Sequence, residues 1–114
     1  MPFARKLNGD AIMIKILTEG EFQESVIDVK GKVLVEFFAP WCPHCQRMMP
    51  VIEDVAEKLH GKVAVYQVDV DQSPDLTEQY TDGFPAFVLF EDGQVIDEIE
   101  GETTEESIFE LVSE

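Results

Sequence analysis

Six consecutive residues, Val33-Leu34-Val35-Glu36-Phe37-Phe38, constrain this chain more than any other feature in it. A strand with one wet face alternates apolar and polar side chains, and this run does not. It reads as a central strand of a parallel sheet, covered by helices on both faces. The rest of the chain supplies those helices. Ala11–Leu17 alternates well enough for a strand. Thr18-Glu19-Gly20-Glu21 has capping-box spacing, and Phe22, Val26 and Val29 then recur at helical intervals until Gly31-Lys32 breaks the pattern. Downstream, Met48, Val51, Ile52, Val55, Ala56 and Leu59 form an apolar stripe ending near Gly61, with Pro50 inside it and expected to bend it. Val63–Val70 reads as a strand, and Ser73-Pro74 as an N-cap followed by proline at the first helical position. Ala86–Phe90 and Gln94–Ile99 are short apolar runs joined by the hairpin signal Glu91-Asp92-Gly93. Thr103 and Glu106 have the spacing of a second capping box, ahead of Ile108, Phe109, Leu111 and Val112. The predicted order is β-α-β-α-β-α-β-β-α. It implies an α/β domain with a mixed central sheet of about five strands flanked by about four helices.

A chain of 114 residues with 45% hydrophobic side chains has material for one domain and one core. Residues 1–114 are therefore read as a single domain, with 1–10 as a flexible N-terminal extension. The charge narrows the partners. The formal net charge is −16, every Lys and Arg lies at or before Lys62, and Val63–Glu114 holds fifteen Asp and Glu. Such a surface repels phosphate backbones and anionic lipids, so neither nucleic acid nor membrane is an expected partner. The acidic half reads as a solvated face, or as one that steers partners with basic docking surfaces.

The two cysteines, Cys42 and Cys45, are three positions apart. A bond between them closes almost no loop, so they are not a stabilising framework for a secreted domain. Zinc is the competing use of such spacing, and it wants a second Cys or His pair. Here only His44, between the cysteines, and the distant His60 remain. Redox chemistry is the reading that needs nothing more, neither metal nor cofactor.

The segment Trp41-Cys42-Pro43-His44-Cys45 sits between the apolar strand and the following helix, where open α/β sheets place their sites. Cys42 falls at the helix N-terminus, whose free N–H groups and macrodipole favour a thiolate. Thiols so placed have pKa values of roughly 3.5 to 7.5 instead of about 8.5, and the thiolate is the species that attacks. Cys45, one turn further in, suits a resolving thiol. His44 reads either as a plain exposed turn residue or as a source of positive potential and donors for the Cys42 thiolate. Glu36 is the lone charge in the apolar strand, six residues before Cys42. Either it reaches solvent at a strand end, or it is buried with a raised pKa and shuttles the proton of Cys45. Gly83-Phe84-Pro85-Ala86 precedes a strand, and by frequency alone its proline is trans.

Together these residues resemble the thioredoxin family over nearly the whole chain, from about Ile12 to Val112. The likeness runs through Val33–Cys45, Pro50, Val68-Asp69-Val70-Asp71-Gln72-Ser73-Pro74, Gly83-Phe84-Pro85, Phe90-Glu91-Asp92-Gly93 and Gly101. It implies the thioredoxin fold, a redox-active Cys42–Cys45 disulfide, and a cis-proline at Pro85. It also implies a substrate surface formed by Trp41, Pro43, Phe84, Pro85 and Gly101, with Glu36 as the buried acid. Thioredoxins that act as general reductants usually carry Gly-Pro between the cysteines, whereas this chain has Pro-His. Pro-His is the pair of bacterial periplasmic disulfide-oxidising proteins. Glu36 and Ala39-Pro40-Trp41 look more like a protein disulfide isomerase domain, and Gln67 stands where many thioredoxins have lysine.

The expected activity is thiol–disulfide exchange with client proteins, as a monomer fed by a thioredoxin-reductase-like donor, at a less reducing potential than Gly-Pro members. With no leader segment and no Lys/His-Asp-Glu-Leu ending read in the sequence, the expected location is cytoplasmic. The alternatives are an oxidase or isomerase of exported proteins, and a non-enzymatic binding module that keeps the Phe84-Pro85 groove.

Overall fold

The structure is a computed structural model and describes residues 14–114. The expected N-terminal extension, 1–10, and the first part of the Ala11–Leu17 strand lie outside the described residues. The elements run β1 (Lys15–Ile16), α1 (Glu19–Phe22), β2 (Lys32–Phe38), α2 (Pro43–Leu59), β3 (Ala64–Asp69), α3 (Pro74–Tyr80), β4 (Ala86–Glu91), β5 (Gln94–Glu100) and α4 (Glu105–Val112). The sheet order is β1-β3-β2-β4-β5, parallel through β1, β3 and β2 and antiparallel from β2 outwards. This is the expected α/β architecture, a mixed five-stranded sheet with four helices.

The pleat of β2 explains its composition. Val33, Val35 and Phe37 face one core with Phe22, Val26, Val88 and Phe90. Leu34 faces the other, with Met48, Ile52, Val55, Phe87 and Ile108. All six residues from Val33 to Phe38 are buried, because helices cover both faces. Glu36 shares the pleat parity of Leu34 and so belongs to the α2 side.

Local chemistry sets the boundaries. Thr18 caps α1 in the expected box, its Oγ1 accepting from the Glu21 N–H while Glu21 accepts from the Thr18 N–H. The helix then widens. Gln23–Ile27 forms one broad turn closed by the Asp28 N–H donating to the Gln23 carbonyl, five residues back. Val29 therefore lies beyond the helix, half-buried against the core. Helix α2 begins at Pro43 and runs without interruption through Pro50. Ser73 is the N-cap of α3, but its side chain makes no capping bond. The cap of α4 corrects the sequence reading. Thr104, not Thr103, is the N-cap, accepting from the Ser107 N–H at 3.1 Å. That register puts Glu105 and Glu106 in the first turn, where the helix dipole favours carboxylates.

The hairpin turn between β4 and β5 is Asp92-Gly93, with φ values of 53° and 81°, the left-handed pair of a type I′ turn. Asp92 ties the turn to Gly31, its Oδ1 accepting from the Gly31 N–H at 2.8 Å and its N–H donating to the Gly31 carbonyl at 3.0 Å. A Cβ on Gly93 would lie 2.3 Å from the Ile27 carbonyl oxygen. Gly93→Ala therefore combines left-handed strain with a backbone clash, and is expected to cost about 2 kcal/mol or more. In thermal unfolding followed by circular dichroism that is a fall of roughly 10 °C in Tm. An unchanged Tm would refute the close approach.

Candidate active site

The carboxyl end of β2 and the amino end of α2 bring the cysteines together. Ala39, Pro40 and Trp41 make the turn, closed by the Cys42 N–H on the Ala39 carbonyl at 3.1 Å. Cys42 then takes an extended conformation as the N-cap of α2, with Pro43 in the first helical turn. Proline is tolerated there because that N–H has no partner within the helix. The two cysteines are thiols, with Cys42 6% and Cys45 1% exposed.

One turn of helix makes the two thiols unlike. The Cys42 thiol is lowered, first by the backbone N–H of Cys45, with further help from the His44 N–H, the Cys45 thiol and the Arg47 charge. Burial pushes the Cys45 thiol up, to about 11, and its hydrogen bond to Cys42 and the charges of Cys42 and Glu36 add to the rise. Only the Ala39 N–H, 3.5 Å from the Cys45 sulfur, works in the opposite direction. Cys42 is thus the readier of the two to ionise, and Cys45 the more reluctant.

Behind them lies Glu36, fully buried. Its Oε1 accepts from Gln67 Nε2 at 2.8 Å, the two residues being register partners on β2 and β3. Its Oε2 has no hydrogen-bond partner among the described residues. Burial pushes this carboxyl up to about 7, against the opposing Gln67 bond. The alternative of a strand-end carboxylate reaching solvent is thereby removed.

Phe84 packs against the core cluster that holds both cysteines. The Phe84–Pro85 peptide is cis, as the family resemblance implied and frequency alone did not. Trp41, 60% exposed, packs edge-on against Phe84 with ring centroids 5.6 Å apart. Its Nε1 donates to Asp71 Oδ2 at 2.7 Å. The Gly101 N–H donates to the Pro85 carbonyl at 2.7 Å, so the loop after β5 is tied to the loop before β4.

Two residues at this end were not singled out from the sequence. Arg47 holds Glu102 with both prongs, Nε to Oε2 at 3.0 Å and Nη2 to Oε1 at 2.7 Å. His44 Nδ1 joins the same Oε1. Arg47 Nη2 also lies 2.9 Å from His44 Nδ1, so the three side chains form one cluster, and the donor that His44 sends to Cys42 is its backbone N–H. The i, i+3 spacing of His44 and Arg47 on one helix is a sequence signal. Their meeting with Glu102, 55 residues beyond Arg47, is visible only in the fold.

Comparison with known proteins settles the family. The thioredoxin family model matches residues 13–114. The chain belongs to the thioredoxin family. It is 35% identical to thioredoxin 1 of Nostoc sp. over 86 residues, covering 75% of this chain and 80% of that protein. It is 34% identical to the thioredoxin of Chlamydia trachomatis over 102 residues, covering 89% of this chain and 97% of the relative. A protein disulfide-isomerase like 2-2 of Arabidopsis thaliana is 39% identical over 89 residues, covering 77% of this chain but only 20% of that longer protein. This thioredoxin-family protein is a thiol–disulfide oxidoreductase, and Cys42 and Cys45 have the Cys-x-x-Cys spacing.

Proposed function

We propose that the protein reduces or exchanges disulfides of client proteins in the cytoplasm, as a monomer re-reduced by a thioredoxin-reductase-like donor. The observation that carries this reading is the asymmetry of the two thiols, Cys42 lowered by N–H donors at the helix start and Cys45 raised by burial. The Cys42 thiolate attacks one sulfur of a client disulfide. A Cys42–client bond forms, and the other client sulfur leaves as a thiolate that takes up a proton. Cys45 then gives its proton to the Glu36 carboxylate and attacks the Cys42 sulfur. The Cys42–Cys45 bond forms, the second client thiolate departs, and two electrons have passed to the client. The exposed Trp41 and Pro43 and the half-buried Phe84 ring offer an extended client apolar surface, while Pro85 is buried beneath it with its carbonyl tied to the Gly101 N–H. A match covering 89% of this chain and 97% of a thioredoxin supports the reductant reading.

Pro43-His44 favours the second reading, an oxidase or isomerase of exported proteins. The reduction potential decides between them. Equilibrated against a glutathione series and read by Trp41 fluorescence, the couple is expected to lie more negative than about −200 mV. Such a value is on the reductant side of the roughly −180 to −120 mV of disulfide isomerases and oxidases. A value at or above about −180 mV would assign the protein to the second class.

A further inference from the structure

We propose that Glu102 is a positioning residue that tunes the Cys42–Cys45 couple, holding the side chains of His44 and Arg47 onto itself and setting its own negative charge against the positive charge that Arg47 brings to the Cys42 sulfur. The inference rests on the exchange chemistry of this couple and adds to it a residue outside the motif.

The geometry is specific. Glu102 follows Gly101, whose N–H is fixed on the Pro85 carbonyl, so the carboxylate is delivered from the substrate-facing loop to the first turns of α2. Both carboxylate oxygens are engaged. Arg47 grips them as a two-pronged fork, and His44 Nδ1 shares Oε1. Bidentate guanidinium–carboxylate pairing fixes direction as well as distance, which a lone surface ion pair does not. The Arg47 hydrogen bond, then that of His44, pulls the Glu102 carboxyl down to about 2, so it is ionised at any working pH.

The consequence follows from the charges of the two redox states. The oxidised couple carries no charge on sulfur, whereas the reduced couple carries a Cys42 thiolate. Cations near that sulfur favour the reduced state and make the couple more oxidising. Arg47 already acts on Cys42 in this way. A carboxylate that binds Arg47 and the His44 ring and adds its own negative charge does the reverse. Glu102 thus offsets what His44 would otherwise contribute, and keeps a Pro-His motif on the reducing side.

The test compares the wild type, Glu102→Gln, His44→Ala and the double variant at pH 7 against glutathione buffers. The thiol and disulfide forms are counted by alkylation. Glu102→Gln is expected to shift the equilibrium about threefold toward the dithiol, a potential about 14 mV less negative. The ultraviolet absorbance of its thiolate should titrate at lower pH than in the wild type. Adding His44→Ala should reverse much of that gain, while His44→Ala in the wild-type background should change the equilibrium less. A Glu102→Gln protein with an unchanged or more reducing couple would overturn the proposal. So would equal effects of His44→Ala in both backgrounds, since a merely structural loop contact has no reason to couple with the ring. A wild-type protein that forms no disulfide with oxidised glutathione would instead overturn the exchange activity itself.

Discussion

Cys42→Ser is expected to bring dithiothreitol-driven reduction of a model protein disulfide to background, while Cys45→Ser is expected to accumulate covalent adducts with clients. The difference between the two variants follows from the helix start. Cys42 is the thiol that the Cys45 and His44 N–H groups favour as an anion, and a serine hydroxyl in its place has no accessible anion to attack sulfur. The loss should be at least about a thousandfold, corresponding to about 4 kcal/mol of barrier. Cys45 acts second. Without it, the attack by Cys42 still occurs, and the mixed disulfide has no internal thiol to displace the client. Non-reducing electrophoresis after acid quench reads the adduct directly. Turnover in Cys42→Ser, or adducts on the Cys42→Ser chain instead of the Cys45→Ser chain, would reverse the assigned order of attack.

Much of this arrangement was legible from the order of residue types. Val33–Phe38 had to be covered on both sides, and one sheet with helices on both faces is the economical way to do it. Placing Trp41–Cys45 after that strand then put Cys42 at a helix N-terminus without any knowledge of distances. The hairpin was equally readable, because Asp92-Gly93 is among the few pairs at ease with two left-handed residues. What escaped was of two kinds. The broad turn at Gln23–Ile27 and the cap at Thr104 differ from their expectations by one residue of register, which side-chain packing decides and local spacing does not. The clamp of Glu102 on Arg47 and His44 joins groups on α2 to the loop after β5, and no local pattern relates them. For Glu36, sequence showed the oddity of a carboxylate in an apolar strand. Only the register with Gln67 showed how one oxygen is satisfied and the other left over.

That leftover oxygen makes the protein's stability depend on pH in an unusual direction. Glu36 is pushed up to about 7 by burial, from an ordinary 4.5. Below pH 4.5 the group is protonated in folded and unfolded chains alike, and it costs nothing to ionise. Between 4.5 and about 7 the unfolded chain releases the proton and the folded one keeps it, so stability falls as pH rises. Above about 7 both states are ionised and the full penalty is present, roughly 3 kcal/mol for a rise of this size. Glu36→Gln removes the titration. Denaturant unfolding of the two proteins should therefore show the variant gaining roughly 3 kcal/mol on the wild type between pH 4 and pH 8, whatever its constant offset. A difference that does not vary with pH would mean that Glu36 is not held protonated. The same substitution should act oppositely on chemistry. With no carboxylate to take the Cys45 proton, the lifetime of the mixed disulfide should lengthen by about 10² to 10⁴ at pH 7, the range for losing a positioned general base. In the wild type the release step should quicken as pH rises through about 7, where Glu36 becomes the base. The charge that weakens the folded core is then the one that returns Cys45 to the attack.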